Sequence, residues 1–182
     1  DVIKNLEKIN HHADELVDLI NDLLDISRLE SGKTIIRFEP ISLKNIADKV
    51  IDMLSVQCKD KGIEVSSNIQ EEFVINVDRV QIERVFINLI GNAIKFTPPQ
   101  GKIMLTAHSK KDFVQIDIAD TGIGIPSEAQ ESIFEEFYRV DNAIKQDTKG
   151  TGLGLSLVKN IVEAHGGTIW VKRKPQEGAV FS

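Results

Sequence analysis

The sequence predicts a globular α/β domain that follows one long amphipathic helix. Hydrophobic residues make up 41% of the 182 residues and charged residues 27%, with 12 Gly and 5 Pro, which is an ordinary composition for a globular protein. From residue 42 onward, segments with apolar residues at helical spacing alternate with short segments of period-two alternation. The first 30 residues, by contrast, carry only a helical repeat.

Charge and cysteine content argue against several classes of protein. A net charge of -6 argues against a general nucleic-acid-binding protein, because such proteins usually present a basic surface. The single cysteine, Cys58, cannot form an internal disulfide, and no His or Cys cluster has zinc-ligand spacing, so we expect a structural thiol and a cytoplasmic setting. The sequence contains neither a bilayer-spanning apolar run nor a signal peptide. We interpret both ends of the chain as cut.

The opening segment is predicted to be a helix of a bundle that ends at Gly32. No helix of similar length follows directly, so we expect its partner to be a second copy of the chain, a preceding helix, or both. His11 and His12 lie in this segment. An acid such as Asp14 or Glu15 could orient a nucleophilic histidine, but we interpret the pair as solvated or flanking the bundle. The apolar repeat at steps of four and three comprises Val2, Leu6, Ile9, Ala13, Leu16, Ile20 and Leu23, widened by Ile3, Val17, Leu19, Leu24 and Ile26.

After a linker from Ser31 to Pro40, capping residues divide the chain into elements. Ser42 is a predicted N-cap, and Gly62 ends the helix that it starts. Asp78 with Gln81 forms a capping-box variant that starts the next helix. In chain order we predict helices at about 42–61 and 79–96, strands at 63–69, 73–77, 102–109 and 113–120, a short helix at 127–134 capped by Ser127 and Gln130, a helix at 153–164, and a terminal hairpin of 168–172 and 179–182.

The helix at 79–96 carries a polar face in its later turns. Asn88, Asn92 and Lys95 recur at intervals of four and three, so they share one side of the helix. Carboxamide oxygens are hard neutral ligands that suit Mg²⁺, and a lysine ammonium pairs with phosphate. Taken alone, the three residues are better explained as a solvated helix face. Two later clusters favour a site for a metal-bound polyphosphate.

The first of these clusters follows the predicted strand at 113–120. The alternate apolar residues of this strand share a face with Asp120, so the Asp120 carboxylate is expected to point inward. A buried carboxylate must be satisfied by backbone N–H groups or by a ligand. Gly122 and Gly124 follow at once and would let a flat heterocycle with an exocyclic amine approach. The alternative is an ordinary turn after a strand.

The second cluster is a run of alternating glycines from Gly150 to Gly154. It leads into the last predicted helix, whose first backbone N–H groups and dipole would attract a phosphate. The spacing is not that of a P-loop, and no strand runs directly into the glycines as a Rossmann site requires. The polar segment Asp141 to Lys149 is predicted to be a mobile lid. We interpret His165 as a last-turn residue that favours the helix dipole, not as a catalyst.

Together these stretches resemble the catalytic and ATP-binding domain of bacterial two-component sensor histidine kinases. The matching motifs are N-L-I-G-N-A-I-K-F at 88–96, D-T-G-I-G-I at 120–125, F-E-E-F-Y-R at 134–139 and K-G-T-G-L-G-L at 149–155. The stretch L-I-N-D-L-L-D-I-S-R-L-E-S-G-K at 19–33 is similar to the second helix of that family's dimerisation and phosphoacceptor domain. The resemblance implies that residues 1–33 are part of that domain and that residues 34–182 are the catalytic domain, with its last strand truncated.

The resemblance also implies a two-layer α/β sandwich, in which helices cover one face of a mixed sheet and ATP lies between the helices and the lid. Asp120 would accept a hydrogen bond from the adenine amine, Asn92 would coordinate Mg²⁺, and Asn88 and Lys95 would contact the phosphates. The other nucleotide-binding residues that it implies are Gly122, Gly124, Tyr138, Arg139, Lys149, Gly150, Thr151, Gly152, Leu153 and Gly154.

Asn88 separates two kinds of ATP chemistry within this resemblance. The related gyrase and chaperone ATPases carry a glutamate there, which activates water as a general base, and an asparagine cannot take that proton. We therefore expect phosphoryl transfer to a histidine in preference to hydrolysis. The family's acceptor motif, H-E-L-R-T-P, has no match here, and His11 and His12 do not fit it. We expect ATP binding without self-phosphorylation; a non-enzymatic signalling scaffold is the alternative.

The resemblance extends to partners. It implies a homodimer through the first helix in the full-length protein and a response regulator, whose receiver domain takes the phosphoryl group on an aspartate. We expect no nucleic-acid partner. The chain would be one piece of a larger cytoplasmic kinase, and whether a preceding region anchors that kinase to a membrane is left open.

Overall fold

The computed structural model describes residues 2–31, 34–70, 72–140, 151–173 and 178–182. Four helices and seven strands follow one another in these ranges. They are α1 Val2–Glu30, β1 Glu39–Ser42, α2 Leu43–Lys61, β2 Glu64–Asn68, β3 Val74–Val77, α3 Arg79–Phe96, β4 Lys102–Ser109, β5 Val114–Asp120, α4 Gly154–Ala164, β6 Val171–Arg173 and β7 Ala179–Phe181.

Five of the strands form one mixed sheet in the order β2-β4-β5-β7-β6. The β2–β4 pair is parallel and the other three pairs are antiparallel. On β4, Ile103 and Leu105 are buried in the core that α2 and α3 share, whereas Met104 is exposed on the opposite face. Helices therefore cover one face of the sheet, which confirms the two-layer α/β class.

The remaining two strands form a separate small sheet that the sequence did not predict. β1 pairs antiparallel with β3, with Glu39 opposite Val77, and Ile41 is almost fully buried. The predicted linker was therefore too long at its end, because Pro40 already lies in β1. A four-residue strand whose partner lies more than 30 residues away leaves too weak a local pattern to be recognised.

The predicted caps of α2 are confirmed. The Ser42 hydroxyl accepts a hydrogen bond from the Asn45 backbone N–H, and Gly62 adopts a left-handed conformation with φ 66°. In that conformation the Gly62 N–H donates to carbonyls of the last helical turn, which glycine allows at no steric cost.

The capping box at the start of α3 forms only in part. The Asp78 carboxylate accepts from the Gln81 N–H as predicted, at 3.2 Å. Gln81 Oε1, however, is buried without a hydrogen-bond partner in the described part of the chain, so it makes no return bond. The Asp78 backbone N–H instead donates to His165 Nε2 at 3.0 Å. His165, at the end of α4, therefore ties the end of that helix to the beginning of α3.

The segment from 127 to 134 is not the single helix that we predicted. It consists of two 3₁₀ turns, Ser127–Ala129 and Ser132–Phe134, and neither has a side-chain cap. A helix this short has few internal hydrogen bonds to stabilise it. The burial of Ala129, Ile133 and Phe134 determines the path of the segment instead.

The last part of α1 packs against the rest of the molecule. Ile26 is only 2% exposed, and Leu23 contacts the core from the same side of the helix. Arg84 of α3 forms ion pairs with Asp22 and Asp25 of α1. Five other apolar residues of α1 are 49 to 62% exposed and form an apolar stripe: Ile9, Leu16, Val17, Ile20 and Leu24.

None of the helices within the described ranges is long and apolar enough to cross a membrane.

Candidate functional site

A cavity of about 430 Å³ lies among α3, the end of β5 and the start of α4. Three motifs that are far apart in sequence meet there, as predicted from the sequence. Part of its wall is apolar and includes Ile87, Ile123 and Leu155. The predicted site residues that line it are Asn88, Asn92, Lys95, Asp120, Gly124, Tyr138, Arg139, Thr151, Gly152 and Gly154.

The other predicted residues lie elsewhere or outside the described ranges. Leu153 precedes α4 and is fully buried in the core. Gly122 does not line the cavity, but its backbone N–H donates to Asp120 Oδ1. Lys149, Gly150 and the expected lid at 141–149 fall outside the residues that the structure describes.

Asp120 ends β5 with its carboxylate turned inward, as the strand periodicity predicted, and is 7% exposed. Its Oδ1 accepts hydrogen bonds from the Gly122 N–H at 2.8 Å and the Ala179 N–H at 3.4 Å. Burial raises the pKa of Asp120, and these two bonds oppose that shift. Because both bonds are made by Oδ1, Oδ2 is the oxygen that can accept a hydrogen bond from a ligand.

Gly122 allows the turn after β5 to pack tightly against α3. A Cβ atom at this position would lie 2.7 Å from Asp120 Oδ1 and 2.7 Å from the Phe96 carbonyl oxygen. The Asp120 carboxylate could then not keep its bond to the Gly122 N–H. A glycine here is therefore part of what fixes the orientation of Asp120.

Asn88 lies against the glycine-rich start of α4. Its Nδ2 donates to the Arg84 carbonyl at 3.0 Å, which holds the carboxamide along α3. A Cβ atom built on Gly154 would lie only 2.5 Å from Asn88 Oδ1. Glycine at position 154 thus allows the polar face of α3 and the first turn of α4 to form one surface.

Lys95 and Arg139 make the cavity attractive to an anion. Burial lowers the pKa of Lys95, and the positive charge of Arg139 lowers it further. Two neighbouring cations in a partly buried cavity repel each other, and a bound phosphate would relieve that repulsion.

The residues that line the cavity also fit a divalent cation that is bound together with a phosphate-containing ligand. Among the described residues, no group of three His, Cys, Asp or Glu side chains could hold a metal ion. Carboxamide oxygens such as that of Asn92 provide only part of the oxygen ligands that Mg²⁺ prefers. Phosphate oxygens would have to complete the coordination.

Among the charged residues that line the cavity, Asp22 of α1 was not predicted from the sequence. Its position depends on the packing of α1 against α4 and on its ion pair with Arg84 of α3. Nothing in the local sequence signals that contact, because the two residues are 62 positions apart.

The family model described as histidine kinase-, DNA gyrase B-, and HSP90-like ATPase matches residues 77–182, which is more than half of the chain. The chain belongs to this family. The match begins at the end of β3 and includes α3, the turn after Asp120 and α4, the elements that build the cavity.

Curated relatives of this ATPase-family chain are histidine kinases. The circadian input-output histidine kinase CikA of Synechococcus elongatus is 34% identical over 180 residues, covering 97% of this chain and 24% of CikA. The signal transduction histidine-protein kinase BarA of Escherichia coli strain K12 is 36% identical over 184 residues, covering 97% of this chain and 20% of BarA. The chain therefore spans about a quarter or less of the length of these relatives.

Solved structures of histidine kinases share the fold. Full-length ShkA in complex with AMPPNP superposes with a TM-score of 0.84 at 29% identity, covering 98% of this chain and 37% of ShkA. Histidine kinase ThkA in complex with response regulator protein TrrA gives a TM-score of 0.76 at 28% identity, covering 96% of this chain and 49% of the matched chain. Within the ATPase family, the chain therefore has the catalytic ATP-binding domain of the sensor histidine kinases.

Proposed function

We propose that the cavity binds ATP with Mg²⁺ and that the chain is the catalytic core of a two-component sensor histidine kinase. It would transfer the γ-phosphoryl group to a histidine outside this sequence. The observation that carries the proposal is the meeting in one cavity of a buried Asp120, the polar face of α3 and the glycine-rich start of α4. The AMPPNP complex of ShkA supports it.

The order of groups along α3 gives the nucleotide a direction. Asp120 lies beside the end of α3, where Gly122 contacts Phe96, so the adenine belongs at this end. Asn88 lies about 12 Å back along the helix, at a rise of about 1.5 Å per residue. That is the length scale of an extended nucleoside triphosphate. The terminal phosphate would then lie between Asn88 and the first turn of α4.

The polar side chains of the cavity would contact different parts of the nucleotide and its metal. Asp120 Oδ2 accepts from the adenine amine, Asn92 contributes an oxygen to the metal, and Lys95 and Arg139 pair with phosphate oxygens. Bound Mg²⁺ would offset charge on the phosphates. Asn88 positions the terminal phosphate but cannot activate water, so transfer to a histidine is favoured over hydrolysis. Gly122 and Leu153, which do not line the cavity, would support its wall. The further contacts proposed are Gly124, Tyr138, Lys149, Gly150, Thr151, Gly152 and Gly154.

We also propose that residues 1–33 belong to a dimerisation and phosphoacceptor domain and residues 34–182 to the catalytic domain. The exposed apolar stripe on α1 supports packing against a further helix in a homodimer. A response regulator receiver domain would dock on α1. The complex of ThkA with response regulator protein TrrA supports a partner of this kind. Use of ATP and the lone thiol of Cys58 favour a cytoplasmic location.

Incubation with labelled ATP tests the direction of the chemistry. The chain should acquire no stable label on its own histidines and should hydrolyse ATP slowly. Adding a separate protein that carries the acceptor helix of a histidine kinase should allow labelling of that helix. Asn88→Glu should raise hydrolysis, and Asn88→Gln serves as its uncharged control.

Two results would contradict this assignment. Stable histidine label on the isolated chain would contradict the external acceptor. Rapid Mg²⁺-dependent hydrolysis by the wild-type chain, abolished by Asn92→Ala, would instead favour a gyrase-like ATPase.

A further inference from the structure

The end of α3 is held by a lysine of the neighbouring helix. Lys61 is the last residue of α2, and its Nζ donates to the Ile94 carbonyl at 2.7 Å and to the Lys95 carbonyl at 2.9 Å. Both carbonyls belong to the last turn of α3, where carbonyl oxygens have no partner within the helix. A cation at the C-terminal end of a helix also interacts favourably with the helix dipole. Lys61 thus caps the helix that carries the polar face of the cavity.

The backbone of Lys61 is itself bonded to the turn that follows α3. The Lys61 carbonyl accepts from the Gln100 N–H at 3.2 Å. Gln100 adopts a left-handed φ of 63°, an uncommon conformation for a residue other than glycine, so this turn depends on contacts that hold it. The ammonium of Lys61 therefore reaches α3 from a residue whose main chain is already fixed beside the end of that helix.

The helical turn that Lys61 caps carries two parts of the proposed nucleotide site. The side chain of Lys95 lines the cavity. The Phe96 carbonyl accepts from the Ile123 N–H at 3.4 Å, which joins the end of α3 to the turn after Asp120. A shift of this helix end would therefore move the proposed phosphate contact of Lys95 relative to the proposed base contact of Asp120.

Without this cap, the last turn of α3 should fray. Helix ends are the least stable parts of a helix, and carbonyls without a protein partner bond to water instead. Lys95 would then lie on a mobile backbone, and a ligand would have to order that backbone when it binds. Loss of the Lys61 ammonium is therefore expected to weaken nucleotide binding even though every residue of the cavity is present.

We propose that Lys61 is a positioning residue of the nucleotide site, which holds Lys95 where a phosphate is bound. Lys61 is not among the described residues that line the cavity, and it precedes the ATPase-family match, which begins at residue 77. It acts through its two hydrogen bonds to the end of α3 and not through contact with the ligand. The inference rests on the proposed function and adds a residue that the motifs of that site do not include.

Lys49 provides a matched control. It also joins α2 to α3, because its ammonium bonds to both carboxylate oxygens of Glu83 at 2.7 and 2.8 Å. Glu83, however, lies about three helical turns before Lys95. Lys49→Met and Lys61→Met therefore each remove one positive charge and one link between the same two helices. Lys61→Arg keeps a positive charge and hydrogen-bond donors at the end of α3.

MgATP is titrated calorimetrically into the wild-type chain, these three variants, Lys95→Met and the double variant Lys61→Met, Lys95→Met. Thermal denaturation checks that each protein is folded at the temperature of the titration. We expect Lys61→Met to weaken MgATP binding about fivefold, within the range of coupling between residues of one network, and Lys49→Met to weaken it less than about twofold. Lys61→Arg should restore most of the affinity. The double variant should lose less than the product of the two single losses, because the position of residue 95 matters less once its ammonium is absent.

The possible failures are distinguishable. If the wild-type chain binds no MgATP, the proposed function fails and this inference fails with it. If the wild-type chain binds MgATP and folded Lys61→Met binds it equally well, only the positioning role is overturned. Equal losses in Lys61→Met and Lys49→Met, or losses that multiply in the double variant, would assign the effect to the lysine charge and would also overturn the inference.

A second variant covers the case in which Lys61→Met does not fold. Lys61→Gln has a neutral amide on a shorter side chain, so it should weaken MgATP binding about threefold, because hydrogen bonds from neutral donors are weaker than those from charged ones. Unchanged MgATP affinity in Lys61→Gln would then overturn the positioning role.

Discussion

Replacing Gly154 by alanine is expected to displace Asn88 while leaving the domain folded. The new Cβ atom would lie 2.5 Å from Asn88 Oδ1, whereas ordinary contacts begin at 3.4 Å. The carboxamide oxygen must therefore move by about 0.9 Å, the difference between those distances. Rotation of the carboxamide would also break its hydrogen bond to the Arg84 carbonyl. The clash involves the end of a side chain and not the backbone, so it can be relieved locally.

The expected effect on stability is small. Loss of the Asn88 hydrogen bond costs about 1 kcal/mol, and replacing a helical glycine by alanine returns about 0.5 to 1 kcal/mol. The free energy of unfolding should therefore change by less than about 1 kcal/mol. MgATP affinity should fall roughly 10- to 100-fold, because a hydrogen bond to a charged group is worth about 1.5 to 3 kcal/mol.

Denaturant unfolding and calorimetric titration measure the two quantities on the same samples. Gly91→Ala is the stability control, because a Cβ atom at Gly91 of α3 would meet no atom within 4 Å, so that variant should gain about 0.5 to 1 kcal/mol. The decisive comparison is the double variant Gly154→Ala, Asn88→Ala. It should bind MgATP no more weakly than Asn88→Ala alone. Additive losses would refute the idea that Gly154 acts through Asn88.

Three further predictions concern buried groups. Burial raises the folded-state pKa of Asp120, so the stability that the protonated carboxyl allows at low pH is lost as the pH rises through that pKa. Asp120→Asn should therefore be more stable than wild type at neutral pH. The gain should vanish in acid when denaturation is repeated across a pH series. Burial also raises the pKa of the Cys58 thiol, so maleimide labelling of the native chain should be at least about 100-fold slower than labelling in denaturant; equal rates would contradict its burial. Thr97 is fully buried, and its hydroxyl has no hydrogen-bond partner among the described residues, so Thr97→Val should stabilise the domain by about 1 kcal/mol in thermal denaturation.

The parts of the fold that the sequence predicted correctly are those with local signals. Ser42 and Gly62 mark the ends of α2 because a hydroxyl N-cap and a left-handed glycine act within a few residues of themselves. The inward direction of Asp120 follows from the period of a single strand. The cavity could be anticipated because each of its three motifs is contiguous in sequence.

The parts that the sequence did not predict depend on contacts between distant residues. The pairing of β1 with β3 joins segments more than 30 residues apart. The bond between His165 and the Asp78 N–H replaces the return half of a capping box, and no local pattern distinguishes the two arrangements. The approach of Asp22 to the cavity depends on the packing of α1 against α4 and on the ion pair with Arg84, which a heptad pattern alone does not specify.

Calorimetric titration of MgATP into the wild-type chain and Asp120→Asn tests the central claim most directly. The variant keeps the shape of the side chain but replaces one carboxylate oxygen by an amide nitrogen, which cannot accept from the adenine amine. We predict saturable binding by the wild-type chain and at least about fivefold weaker affinity in a folded variant, since an unpaired buried donor costs about 1 to 3 kcal/mol. Absence of binding by the wild-type chain, or equal affinity in the two proteins, would contradict the assignment of this cavity as an adenine nucleotide site.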